Sequence, residues 1–174
     1  MLYFAYGSNL DWAQMRSRCP SAQFIAIASL PDYGLAFPRF SMNRRCDVAS
    51  IITAAGELVW GAVYRVDEIG RCALDAAEGF RPDRNPARNS YQRVDITVLK
   101  DGDAAALLGV FTYIAQPQHN FVPCGPSAAY RALLLGGARY WGLPAEYLRS
   151  MERVSEIPRR SEAPISTGLR NSPA

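Results

Sequence analysis

The chain has 174 residues, 49% of them hydrophobic, and a formal charge of +3; that length suits one domain with a sizeable core, since chains of about 150 residues bury close to 70% of their unfolded surface. Its arginines are scattered apart from a cluster near the C-terminus, so no basic stripe marks a nucleic-acid track, and no apolar run approaches the ~20 residues of a membrane helix. Four cysteines without a C-x-x-C pair and a single histidine, His119, argue against a zinc site, and the lack of a targeting leader points to a reduced, cytoplasmic protein.

In chain order, Leu2 to Tyr6 reads as a short apolar strand and Asp11 to Arg18 as a helix that ends before Cys19-Pro20. Between them Gly7-Ser8-Asn9 has two readings: an ordinary turn, or a loop whose N–H groups converge on an anion where strand passes into helix. Gln23 to Leu30 and Tyr33 to Phe40 are strand-like runs broken at Pro31-Asp32, which predicts a hairpin or an adjacent pair. Ala49 to Thr53 and Glu57 to Val66 predict another pair, joined at Ala54-Ala55-Gly56. Asp67 then caps a predicted helix to about Ala77 that buries Ile69, Cys72, Ala73 and Ala76. Gly79 is placed as its left-handed terminator, which puts Glu78 on the last turn.

Residues 81–90 contain two prolines, four charges and two asparagines, a composition that predicts an exposed loop able to serve as a lid. Tyr91 to Leu99 and Leu107 to Ala115 read as antiparallel strands around Asp101-Gly102-Asp103. Ser127 caps a predicted helix from about Ala128 to Trp141, and Gly142-Leu143-Pro144 separates it from a second helix to about Met151. From Pro158 onward the periodicity stops, so the expected organisation is one domain over residues 1–157 and a tail over residues 158–174. Mainly antiparallel strands interrupted by helices give an α+β fold rather than a doubly wound sheet.

One histidine narrows the chemistry, because serine and cysteine nucleophiles are usually activated by an imidazole. His119 lies in the polar stretch Gln116 to Asn120 and reads as a surface residue, with Cys124 an inert thiol nearby. Acid–base work therefore falls to carboxylates or tyrosines. Glu78 faces the negative end of its helix dipole, which disfavours the charged carboxylate and raises its pKa; an apolar pocket would act in the same direction. The alternative is an exposed glutamate on a frayed turn.

The order of these features resembles the gamma-glutamylcyclotransferase family. The resemblance rests on Tyr3-Phe4-Ala5-Tyr6-Gly7-Ser8-Asn9-Leu10 and on Leu74-Asp75-Ala76-Ala77-Glu78-Gly79 following Val59-Trp60-Gly61-Ala62-Val63-Tyr64. Pro20-Ser21-Ala22, Tyr91, Thr112-Tyr113, Pro126-Ser127 to Tyr130, Gly137-Ala138, Gly142-Leu143-Pro144 and Tyr147 follow in the same order, so it spans about residues 2–151. It implies a small mixed, mainly antiparallel β-barrel flanked by helices, in which the loop and the glutamate meet in one cavity. It further implies cyclisation of a gamma-glutamyl amino acid or peptide to 5-oxoproline, without metal or other cofactor. By position, Glu78 matches the acid–base glutamate, Tyr3, Phe4, Ala5, Tyr6, Gly7, Ser8 and Asn9 the substrate-binding loop, and Tyr130 a binding tyrosine; Tyr113 and Tyr91 match tyrosines around the cavity.

Two further readings stay open on the sequence: a gamma-glutamylamine cyclotransferase, which releases an amine, and a non-catalytic module that binds gamma-glutamyl or related small carboxylates. A scaffold protein is a third. The expected partner is a small-molecule gamma-glutamyl substrate, with no nucleic acid or membrane, in a monomer or homodimer. Residues 81–90 are longer than the corresponding family turn, and their Arg81, Arg84 and Arg88 are either contacts for an acidic leaving group or solvated loop charges.

Overall fold

A computed structural model describes residues 1–155; the boundary expected at residue 157 and the tail expected from Pro158 lie outside them. Five strands, β1 (Leu2–Ala5), β2 (Gln23–Ser41), β3 (Cys46–Arg65), β4 (Tyr91–Lys100) and β5 (Leu107–Ala115), close a barrel in the order β1-β3-β2-β4-β5. All pairings are antiparallel except the closing one, where Tyr3 of β1 meets Phe111 of β5 in parallel. Four helices flank it: α1 (Trp12–Arg18), α2 (Glu68–Ala77), α3 (Ala128–Tyr140) and α4 (Ala145–Ser155). Among the described residues no helix is long and apolar enough to cross a membrane. The fold is α+β, a mixed barrel with helices around it, as expected.

The strand pairs predicted at residues 23–40 and 49–66 are instead one long hairpin of two continuous strands. Both predicted breaks are real irregularities, but they face each other across the ladder. Pro31 pairs with Leu58 and Tyr33 with Thr53, so Asp32 alone, at φ 62°, opposes residues 54–57. Gly56, at φ 79°, donates its N–H to Asp32 Oδ1 at 2.9 Å. The break is thus a paired bulge, which bends a strand without ending it. It divides the hairpin into a segment within the barrel and an arm, residues 33–41 and 46–53, that reaches to the cavity described below.

The helix boundaries follow their caps. Asp11, Asp67 and Ser127 each accept a hydrogen bond from an N–H of the following first turn. The buried face of α2, however, is not the one expected: Ile69 is 81% exposed, and Cys72 and Ala76 are also exposed. Gly70, Leu74 and Asp75 face inward instead. The reason is a polar residue in the interior: Asp75 accepts from the Tyr113 hydroxyl at 2.7 Å and from Arg71 and Arg93 at 2.6 Å each. Those partners offset the cost of burying a carboxylate, and a pattern built on apolar residues points to the wrong face.

Candidate active site

The strand β1 delivers its chain end to one mouth of the barrel, where Ser8–Leu10 form a single 3-10 turn. Behind this turn α3 approaches so closely that a Cβ on Gly137 would lie 2.4 Å from the Leu10 carbonyl carbon. Trp141 Nε1 donates to Leu10 O at 2.9 Å, and the Tyr64 hydroxyl donates to Asn9 O at 3.1 Å. These contacts hold the back of the loop. Its front, with Tyr3, Tyr6, Gly7, Ser8 and Asn9, lines a cavity of about 670 Å³.

Glu78 lines the same cavity from the end of α2. The Gly79 N–H bonds to Ala76 O and the Phe80 N–H to Asp75 O, with Gly79 at φ 65°, the pairing of a left-handed helix terminator. That turn fixes where the Glu78 side chain leaves the backbone. Asn9, 2% exposed, then connects it to the loop. Its Nδ2 donates to Tyr3 Oη at 2.8 Å and to Glu78 Oε1 at 3.3 Å, while its Oδ1 accepts from Arg18 Nη1 at 2.8 Å and from Gln14 Nε2 at 3.2 Å. The amide therefore uses its full bonding capacity. Arg18 Nη1 also lies 3.1 Å from Glu78 Oε1.

With its side chain only 16% exposed, the Glu78 carboxyl has its pKa raised by burial, against the opposing pull of Arg18, the Asn9 amide and Arg44. Exposure on a frayed turn is not what the structure shows. The tyrosines around it are neutral for the same reason: burial raises Tyr3, Tyr6, Tyr91 and Tyr113 well above the phenol range, and Tyr130 to about 12.

Four of these tyrosines are held by the fold itself. Tyr6 donates to the Tyr113 carbonyl, and Tyr113 in turn to Asp75. Tyr91 donates to Ala49 O at 2.8 Å and Tyr130 accepts from Ala49 N at 3.1 Å. The Ala49 peptide is free for them because the register shifts between Ala36 and Arg39. Pro38 sits in that shift and has no N–H to give to the ladder.

Among the residues expected at the site, Glu78, Tyr3, Tyr6, Gly7, Ser8, Asn9, Tyr91, Tyr113 and Tyr130 surround one space. Phe4 and Ala5 do not reach it: they are 0% and 1% exposed in the barrel core, since strand alternation turns Phe4 inward beneath Gly61. Arg84 is drawn back to Asn89 and the Gly79 carbonyl, and neither Arg81 nor Arg88 lines the cavity. Arg18, Arg39 and Arg44 do line it and were not singled out from the sequence. His119 is exposed, and burial beside Asp47 raises the Cys124 thiol, which stays protonated.

A sequence model described as gamma-glutamyl cyclotransferase, AIG2-like, matches residues 3–132. The gamma-glutamylcyclotransferase of Mus musculus is 32% identical over 158 residues, covering 88% of this chain and 78% of the mouse protein. That of Bos taurus is 30% identical over the same shares. A solved structure of a gamma-glutamyl cyclotransferase superposes with a TM-score of 0.76 at 27% identity, covering 96% of this chain and 94% of the other. By these matches, and by the barrel that supports them, the chain belongs to the gamma-glutamyl cyclotransferase, AIG2-like family.

Proposed function

We propose that this cavity cyclises a gamma-glutamyl amino acid or peptide to 5-oxoproline, with Glu78 moving the proton. The observation that supports the reading best is the placement of one half-buried carboxyl, raised by burial, on the loop amide of Asn9. The substrate brings its own nucleophile. Its α-amine attacks the γ-carbonyl carbon, the new C–N bond closes a five-membered ring, and the original amide C–N bond breaks. Holding the glutamyl chain folded is much of the task, and well-oriented intramolecular reactions gain roughly 7–11 kcal/mol from positioning.

Proton traffic defines the work of Glu78. An α-amine of pKa about 8 is mostly ammonium at neutral pH, and an ordinary glutamate near 4.3 is too weak a base by roughly 5 kcal/mol, at about 1.36 kcal/mol per unit. Burial raises Glu78 and shrinks that deficit. The carboxyl relays two protons in turn from the attacking nitrogen, an ammonium in the substrate and a lactam N–H in the product, to the departing nitrogen, which leaves as an ammonium, so the charge of the protein is unchanged over the cycle. The Tyr3 hydroxyl, which accepts from Asn9 and keeps its own proton, can donate to the substrate. Gly7 and Ser8 line the cavity, and their backbone amides are the donors assigned in this reading to the α-carboxylate or the developing oxyanion.

The experiment is Glu78→Gln, assayed for 5-oxoproline release and, by calorimetry, for binding of a gamma-glutamyl amino acid. Binding is retained and product falls by at least about 10²-fold, the lower range for loss of a general acid–base group; undiminished turnover removes Glu78 from the mechanism. We further place the enzyme in the cytoplasm as a monomer or homodimer of one domain over residues 1–157, acting on a small molecule rather than on nucleic acid or membrane.

A further inference from the structure

The arm of the long hairpin brings two arginines to the cavity that the fold leaves without a carboxylate. Arg39, near the end of β2, and Arg44, in the turn between β2 and β3, are both half-buried, and both line the cavity. Arg44 Nη2 donates to Gln14 Oε1 at 2.6 Å, and its guanidinium carbon lies 4.8 Å from the centre of the Tyr130 ring. Arg39 donates to Gln116 O at 3.2 Å and to Ser90 Oγ at 3.3 Å. Among the described residues neither forms an ion pair, whereas Arg18, Arg71, Arg81, Arg93 and Arg139 all do. Neutral acceptors and a ring face orient the two guanidiniums and leave both without a contacting carboxylate among the described residues.

The charge balance of the cavity has a consequence. Among the described residues that line it, three guanidiniums, of Arg18, Arg39 and Arg44, face one carboxylate, Glu78, and Arg18 is already bound to it. The two remaining positive charges sit on the arm rather than on the loop that holds Asn9. By hydrogen bonds Arg44 reaches Glu78 through Gln14 and Asn9, with its charge also acting on Glu78 from a distance, and Arg39 reaches the turn after Glu78 through Ser90, whose N–H bonds to Gly79 O. With the glutamyl group assigned to the loop and Glu78, the arm is the remaining charged wall of the cavity for whatever is attached beyond the scissile amide.

We propose that Arg39 and Arg44 form the subsite for the leaving group and bind its carboxylates, so that the enzyme selects leaving groups by their negative charge, acidic amino acids above neutral ones and neutral ones above simple amines. The proposal rests on the cyclisation reading given above. Half-buried guanidiniums suit the task, because a carboxylate bound there is partly withdrawn from water and its hydrogen bonds are charge-assisted. Both arginines act as specificity-determining residues, touching the leaving group rather than the atoms that react.

The test is a substrate series, γ-glutamylmethylamine, γ-glutamylalanine and γ-glutamylglutamate, with release of 5-oxoproline followed for each. Expected is a fall in KM of roughly tenfold per added carboxylate, the size of one charge-assisted hydrogen bond, with kcat changing far less. Raising the ionic strength erodes the advantage of γ-glutamylglutamate and leaves γ-glutamylmethylamine nearly unaffected. In an Arg39→Gln/Arg44→Gln double variant the ladder collapses. Equal KM values across the series in the unmodified enzyme, or a ladder that survives in a folded double variant, overturns the subsite. If none of the three yields 5-oxoproline, the cyclisation reading fails; calorimetric affinities for γ-glutamylglutamate and γ-glutamylmethylamine then decide the subsite, equal values overturning it.

Discussion

At Asn9 one buried amide settles the geometry of four neighbours. Arg18 can only donate and the Glu78 carboxylate can only accept, so the amide has one orientation that satisfies both, and the Tyr3 hydroxyl takes the remaining donor. Arg18 matters in a second way, since its guanidinium opposes the effect of burial on Glu78. Removing it should leave burial opposed only by the Asn9 amide and Arg44: Arg18→Gln moves the acid limb of the kcat/KM profile to higher pH. A purely structural role for Arg18 would lower kcat/KM without moving the limb, so a pH–rate series across the acid limb separates the two. The loop and Glu78 were legible in the sequence because they lie in contiguous motifs. Arg18, Arg39 and Arg44 were not, because an arginine becomes a site residue only through what folding places opposite it.

At the scale of elements, the loop keeps its place because α3 closes on it from behind. A methyl group on Gly137 would stand 2.4 Å from Leu10 C and 2.6 Å from Asp11 N. These are backbone atoms that cannot rotate away, so the loop or the helix must shift. Gly137→Ala is expected to cost about 1–3 kcal/mol, the usual range for overpacking, visible as a lower urea midpoint. It should also raise KM, because the displaced loop lines the cavity from its front. An unchanged KM with lowered stability would show that the helix, not the loop, gives way. Helix limits and caps were readable in the sequence, since Asp11, Asp67 and Ser127 carry local hydrogen-bond chemistry. The long hairpin was not, because a bulge at Asp32 and one at residues 54–57 look like two turns until the register places them face to face. The inward face of α2 escaped for a related reason: Asp75 is interior only because Tyr113, Arg71 and Arg93 come to meet it.

For the molecule as a whole, the cavity is a place where activity and stability oppose each other, and Glu78 lets the opposition be measured. Its carboxyl titrates above the ordinary value of 4.5 in the folded protein, with burial as the largest cause. Between 4.5 and its folded pKa the native state therefore binds a proton that the unfolded chain has already released. The unfolded state binds fewer protons there, so unfolding free energy falls as pH rises, by up to about 1.36 kcal/mol per pH unit of that window. The stability contributed by this group is fully present below 4.5 and is lost as pH passes through the folded pKa. Glu78→Gln removes the titration while keeping the shape of the protonated acid. The wild-type unfolding free energy minus that of the variant should then be flat below 4.5, decline across the window, and level off above it. Chemical denaturation of both proteins at a series of pH values checks this. A difference that rises with pH would mean that the Arg18 pair outweighs burial, leaving Glu78 a weaker base than an ordinary glutamate and unfit for the proton transfer assigned to it.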